Sequence, residues 1–271
     1  MRLLYCDETN LEERSGDFLI YGGLTVSADQ AFSLSRAIDA LRRELRVPPD
    51  YRFKFNPGPV GFSHAQFIDL KRSAITLALE HGAQFLSYLV LHDIAQNPDD
   101  ARRKGINTIC LHFNYILNEA EQPGLVLIDR FNDQGNEIDA HLRDKFSVGL
   151  TGLPYSANYR LERIIGFHYS ALGQSHLPSL VDIVLGTFRF AINAHTRGQT
   201  EHLATARELI SLLSPLFWRA DEGLPVPELG LMFSPKSIRA PSYRQQYQQL
   251  KDFFTEAGLE TLQEITSDVT Y

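Results

Sequence analysis

The feature that most restricts the fold is a regular alternation: from Leu3 to about Ala194, short apolar runs take turns with stretches whose apolar residues recur at helical spacing. Leu3 to Asp7 is an apolar run ending in an acid. Phe18 to Val26 reads as its hairpin partner across the polar turn Asn10 to Gly16, with Gly22 and Gly23 permitting a bulge or a close backbone approach. Ala31, Leu34, Ile38, Leu41 and Leu45 predict a helix over Ala28 to Arg46, stopped by Pro48-Pro49. A strand at Tyr51 to Phe55, a helix at His64 to His81 capped by Gly82, and a strand at Gln84 to Leu91 follow. Then come a helix from about Asp100 to Asn118, a strand at Gly124 to Ile128, a helix from about Glu137 to Val148 and a strand at Arg160 to Tyr169. Pro178 suits the first residue of a helix running to about Ala194. Such alternation implies an α/β domain with helices against a central sheet, and the opening hairpin makes that sheet mixed.

The chain has 271 residues, room for one large domain or a domain with an appendage at roughly 150 residues each. Residues 1–195 carry the alternation. Residues 196–271 read as a mostly helical C-terminal extension packed on that domain, with helices at about Glu201 to Leu213 and Tyr243 to Ala257. Between these helices, five prolines from Pro215 to Pro241 predict a long irregular connection, either an edge cover for the sheet or a surface at 214–242 for a protein partner. Runs such as Leu180 to Ile192, interrupted by Asp182 and Arg189, fall short of a bilayer span, so no membrane is expected. The N-terminus reaches Asp7 too soon for a signal peptide, and Cys6 and Cys110 make neither a disulfide framework nor a zinc pattern. A reducing cytoplasm is the resulting expectation. The net charge of −7 argues against a broad basic surface that coats nucleic acid, though not against a small basic groove.

Three acids stand where a core-forming sequence has no use for them. Asp7 closes the strand Leu3-Leu4-Tyr5-Cys6 and Asp129 closes Leu125-Val126-Leu127-Ile128. Ligands bind at the carboxyl ends of strands in α/β sheets, so neighbouring strands ending in Asp would bring carboxylates together. Asp182 lies in Leu180-Val181-Asp182-Ile183-Val184-Leu185, beyond the first helical turn where the macrodipole would favour it. Burying a lone carboxylate is costly, and a shared cation would remove that cost. Each acid also has a structural reading. Asp7 and Asp129 suit turns or helix caps, and Asp182 could pair with Arg189, seven residues along its helix.

Tyr5-Cys6-Asp7-Glu8-Thr9, followed by Phe18-Leu19-Ile20-Tyr21-Gly22-Gly23-Leu24, resembles the opening of the domain of unknown function 3800 family, where an Asp-Glu-Ser motif precedes a glycine-bearing hairpin strand. Leu127-Ile128-Asp129-Arg130 resembles that family's internal strand ending in Asp, and Ser175-His176-Leu177-Pro178-Ser179-Leu180-Val181-Asp182 its final helical signature. The resemblance covers about residues 1–195. It implies a ribonuclease-H-like fold whose acids lie on the first strand, a later parallel strand and a helix.

Phosphodiester cleavage needs hard cations to neutralise phosphate oxygens and activate water, and Mg²⁺ or Mn²⁺ prefers carboxylate and water ligands. Asp7, Asp129 and Asp182 would suffice as a minimal metal cage. Glu8 belongs with them as a catalytic candidate only if a twist or turn brings it round, since alternation points it to the face opposite Asp7. Lys54 lies where the family often carries a Lys and could hold a phosphate, or it is a solvated residue on an edge-like strand. His168 follows Ile164-Ile165-Gly166-Phe167 and suits a proton shuttle, an outer ligand near Asp182 or a structural role. Arg102-Arg103-Lys104 and Arg42-Arg43 would track a nucleic-acid backbone or form solvated helix faces. Neither a Walker-type phosphate loop nor a Cys or Ser nucleophile motif stands out.

Two function classes follow. One is a divalent-metal-dependent nuclease or related phosphodiesterase, a hydrolase acting on nucleic acid or a nucleotide through its carboxylate cluster. The other is a non-catalytic ribonuclease-H-like binding or regulatory module that acts through a protein partner at 214–242.

Overall fold

The computed structural model describes residues 1–130, 137–150 and 159–268. Strand β1 (Arg2–Thr9) runs antiparallel to β2 (Phe18–Ser27). The register is unbroken, so Gly22 and Gly23 serve close approach and not a bulge. A Cβ at Gly23 would lie 2.5 Å from the Tyr5 carbonyl oxygen. Asn10 turns the chain at φ 65°, a conformation its short side chain tolerates. Ser27 then caps helix α1 (Ala28–Glu44) in a reciprocal box with Gln30, and Ser63 does the same with Gln66 for α2 (His64–Glu80). Gly82 takes the left-handed conformation expected of a cap, at φ 67°.

The segment between these helices is not the strand predicted at Tyr51 to Phe55. It is a loop tied by side chains. The Tyr51 hydroxyl donates to the carbonyls of Lys54 and Pro57, and the Arg42 guanidinium donates to those of Pro48 and Tyr51. Alternating aromatics arise because Phe53 is buried in the core while Phe55 lies against Gly186 of a helix described below.

Strand β3 (Gln84–Leu91) pairs antiparallel with β2. Helix α3 (Pro98–Glu119), capped by Asn97, crosses to β4 (Gly124–Asp129), which lies parallel to β1. After α4 (Glu137–Ser147), β5 (Ile164–Ser170) pairs parallel with β4, starting four residues later than the predicted Arg160. Helix α5 (His176–Thr196) carries Pro178 within its first turn. Helix α5 is long and apolar enough to cross a membrane, yet most of it is buried inside this fold. Helix α6 (Leu203–Leu213), strand β6 (Leu231–Ser234) and helix α7 (Pro241–Glu256) complete the described elements.

The result is an α/β fold around a six-stranded mixed sheet of order β5-β4-β1-β2-β3-β6. One face, with Leu4, Cys6, Tyr21, Val126 and Ile128, packs on Ile109 and Phe113 of α3. The other packs on α1, α2 and α5. The same core takes in Phe217, Phe233, Tyr247 and Phe254 from the C-terminal segment. The stretch 214–242 is therefore not irregular throughout. It supplies β6 beside β3 and buries Phe217, Trp218, Val226, Leu231, Phe233 and Ile238. Cys6 and Cys110 are buried free thiols.

Candidate carboxylate site

Parallel pairing of β1 with β4 ends at Cys6 opposite Ile128, so Asp7 and Asp129 are the next residues on adjacent strands. Side chains alternate along a strand. Leu4, Cys6, Val126 and Ile128 face α3, which turns Asp7 and Asp129 to the opposite face, where α5 lies. Asp182 of α5 completes the group from that side, its Oδ2 accepting the Phe55 backbone N–H at 2.6 Å. The loop that replaces the predicted strand thus anchors the third acid.

These acids feel one another. The Asp7 carboxyl is held well above the usual carboxylate range by burial first, then by the charges of Glu8, Asp129 and Asp182, against a backbone hydrogen bond from Glu8. Burial also raises Asp129, with Asp182 adding to it and the Arg130 backbone N–H opposing it. One oxygen of Asp129, Oδ1, is buried without a hydrogen-bond partner. Among the described residues, no group of three or more His, Cys, Asp or Glu side chains forms a metal-holding cluster as it stands. The three aspartates are electrostatic neighbours that are not gathered to one point. Their donor set nevertheless fits a hard divalent cation, since all its atoms are carboxylate oxygens and Asp129 Oδ1 lacks another partner.

Glu8 faces the α3 side, as alternation requires, and its Oε1 lies 3.1 Å from Nε of Arg102. Burial raises the Glu8 carboxyl and Arg102 opposes that rise. Arg102 is the residue that sequence reasoning placed elsewhere. It is largely buried and also bonds Asp99, while Arg103 pairs with Glu137 and Lys104 with Asp100. That basic cluster is charge-compensated. The two acids just ahead of it, Asp99 and Asp100, were the available signal.

Lys54 sits on the loop one residue before Phe55, half-buried. His168 is inside β5, not after it, paired across from Leu127 and exposed. Its ring leans back over Gly166, where a Cβ would lie 3.1 Å from Nε2, and so away from the strand end that carries Asp129. Arg189 does not pair with Asp182. Its guanidinium lies over the Phe55 ring, 5.9 Å from the centroid. No protein-family model matches the chain, and no curated protein or solved structure matches it either.

Proposed function

We propose that the chain is a divalent-metal-dependent nuclease or related phosphodiesterase on a ribonuclease-H-like sheet, with Asp7, Asp129 and Asp182 as its metal ligands. One observation carries the reading: two aspartates end adjacent parallel strands on the face that α5 covers, and the Asp182 charge on that helix raises the proton affinity of both, as the Asp129 charge does that of Asp7. Nothing in the packing calls for three like charges there, and a cation removes the repulsion. The sheet order supports the fold assignment. Three antiparallel strands, β3-β2-β1, continue into the parallel pair β4 and β5, with acids on the first strand, a later parallel strand and a helix. Bound Mg²⁺ or Mn²⁺ would neutralise phosphate oxygens and activate water. The residues themselves hold the arrangement. The Phe55 N–H fixes Asp182, and the Glu8 N–H fixes Asp7.

A second reading, a non-catalytic module, draws on the fact that the acids do not form a metal-holding cluster as they stand. Calorimetric titration with Mg²⁺ and Mn²⁺ separates the two. The decisive assay is cleavage of single-stranded RNA and DNA in either metal by wild type and Asp129→Asn. The amide keeps the shape and loses the charge that holds an ion, so the variant should be inactive. Full activity in Asp129→Asn refutes the reading.

A further inference from the structure

Beyond the end of β1 lies a cavity of about 600 Å³ between the turn after β1 and α5, inside the ordinary size range of ligand pockets. One face of α5 forms its wall. Asp182, Gly186, Arg189 and Asn193 follow one another at steps of four, three and four residues, which places them in a single row. Phe55 rests on Gly186, and Asn193 exchanges two amide hydrogen bonds with Asn10 of the β1–β2 turn. The row therefore leads from the third carboxylate into the cavity.

Four charged residues border that cavity. Glu8 is paired with Arg102, and Arg197 is paired with the buried Asp17. Glu12 is exposed on the turn, and its charge acts on Arg197. Arg189 is left. It is half-buried, and among the described residues it has no hydrogen bond and no carboxylate partner, only the Phe55 ring beneath it. Its guanidinium carbon stands 5.9 Å from the Phe55 ring centroid, within cation–π reach, and its N–H donors, which no protein acceptor takes up among the described residues, form the planar fork that matches a phosphate.

We propose that Arg189 binds a backbone phosphate of a single-stranded nucleic acid, seating the adjoining nucleotide in this cavity, against Phe190, two turns along α5 from Asp182. The identity of the ligand rests on the phosphodiesterase reading, whereas the anion site rests on the cavity and its unpaired arginine. Contact through one arginine also agrees with a chain of net charge −7, which has no broad basic surface to offer.

The test titrates fluorescent short oligouridylate and oligothymidylate into the whole protein in EDTA, following anisotropy. Wild type should bind with a shallow salt dependence, because few phosphates are neutralised. Arg189→Gln should weaken binding at least about tenfold, roughly 1.4 kcal/mol. Arg189→Lys, which keeps charge but loses the fork, should recover part of it. Since Arg189 has no partner to strand, the thermal midpoints of both variants should match wild type, and Asp129→Asn should bind in EDTA at least as tightly as wild type. Unchanged affinity in Arg189→Gln, or a wild type that binds neither oligonucleotide, overturns the proposal. If Asp129→Asn still cleaves while Arg189→Gln loses binding, the metal reading falls and this site stands. Loss of cleavage in Asp129→Asn with full binding by Arg189→Gln overturns this site alone.

Discussion

Replacing Asp129 by Asn tests the carboxylate cluster without reference to any substrate. Asp7 and Asp129 stand next to each other beyond the last β1–β4 pair, and the strand spacing of about 4.8 Å sets a working charge separation of about 5 Å. At an effective dielectric of about 20, two such charges repel by about 3 kcal/mol. Asp129 is only half-buried, and water screening reduces this to about 1 to 2 kcal/mol. Asp129→Asn removes that repulsion from Asp7 and from Asp182 together. In EDTA at pH 8 the variant should therefore be the more stable protein, by about 2 to 4 °C in thermal midpoint for a chain of this size. The pH dependence has a definite sign. Both carboxyls are raised in the folded state, so the native protein is favoured when they are protonated and loses stability as pH rises through their raised values. The advantage of the variant should be greatest at pH 8 and close toward pH 4, near the unfolded carboxylate value of about 3.9. If the proposed metal site is right, Mg²⁺ should reverse the order: at a hundredfold excess over its Kd, a ligand of the folded state adds about 2.7 kcal/mol to wild type and nothing to a variant that cannot hold it. Scanning calorimetry from pH 4 to 8, with EDTA and with Mg²⁺, reads all of this. An Asp129→Asn protein less stable than wild type in EDTA at pH 8, or a difference that ignores pH, refutes the reasoning.

Arg102→Gln should strand the buried Glu8 carboxylate and cost about 3 kcal/mol or more in urea denaturation at pH 8, with the loss shrinking as pH falls, because burial favours the protonated form of Glu8. A loss under about 1 kcal/mol at pH 8 would mean that the pair is not the electrostatic tie described above. His112 is buried, and burial pushes it down to about 4 against the opposing effect of its hydrogen bond to the Leu229 backbone. Its contribution is complete above 6.5 and is lost as pH falls toward 4. At about 1.4 kcal/mol per pH unit this is roughly 3 kcal/mol, so His112→Gln should flatten the acid limb of a stability profile, and an unchanged limb would place the acid sensitivity elsewhere.

What could be read from the sequence was local. Apolar spacing alone places the helices that begin at Ala28 and His64, and the structure adds at each start a capping box, Ser27 with Gln30 and Ser63 with Gln66, closed within one turn. Gly82 announces a helix end. Strand β6 escaped because four residues, Leu231–Ser234, lie among prolines and owe their extended form to the exposed edge of β3. The period of two in Tyr51 to Phe55 satisfies the strand pattern, while its backbone partners are side chains: Asp182 on α5 accepts the Phe55 N–H and Arg42 on α1 donates to the Tyr51 carbonyl. Tertiary partners of that kind leave no mark at short range.

The site divides in the same way. Asp7 and Asp129 were visible because an acid after an apolar strand is a local signal, but their adjacency depends on β4 lying beside β1, which alternation alone does not dictate. Glu8 and Arg102 meet across 94 residues of chain, so the compensation of that basic cluster lay outside any local reading. Arg189 is the instructive case. The sequence offered it as a partner for Asp182, because a step of seven places both on one helical face. The structure keeps the face and rejects the pair. Phe55 is inserted between them, its backbone N–H bonded to Asp182 and its ring beneath Arg189. One loop residue thus leaves an acid and a base in the same row of α5 without letting them neutralise each other. An ion pair there would have emptied the site of charge. Their separation leaves Asp182 facing the other carboxylates and Arg189 facing the cavity, which is the polarity that a metal-bound phosphodiester would require.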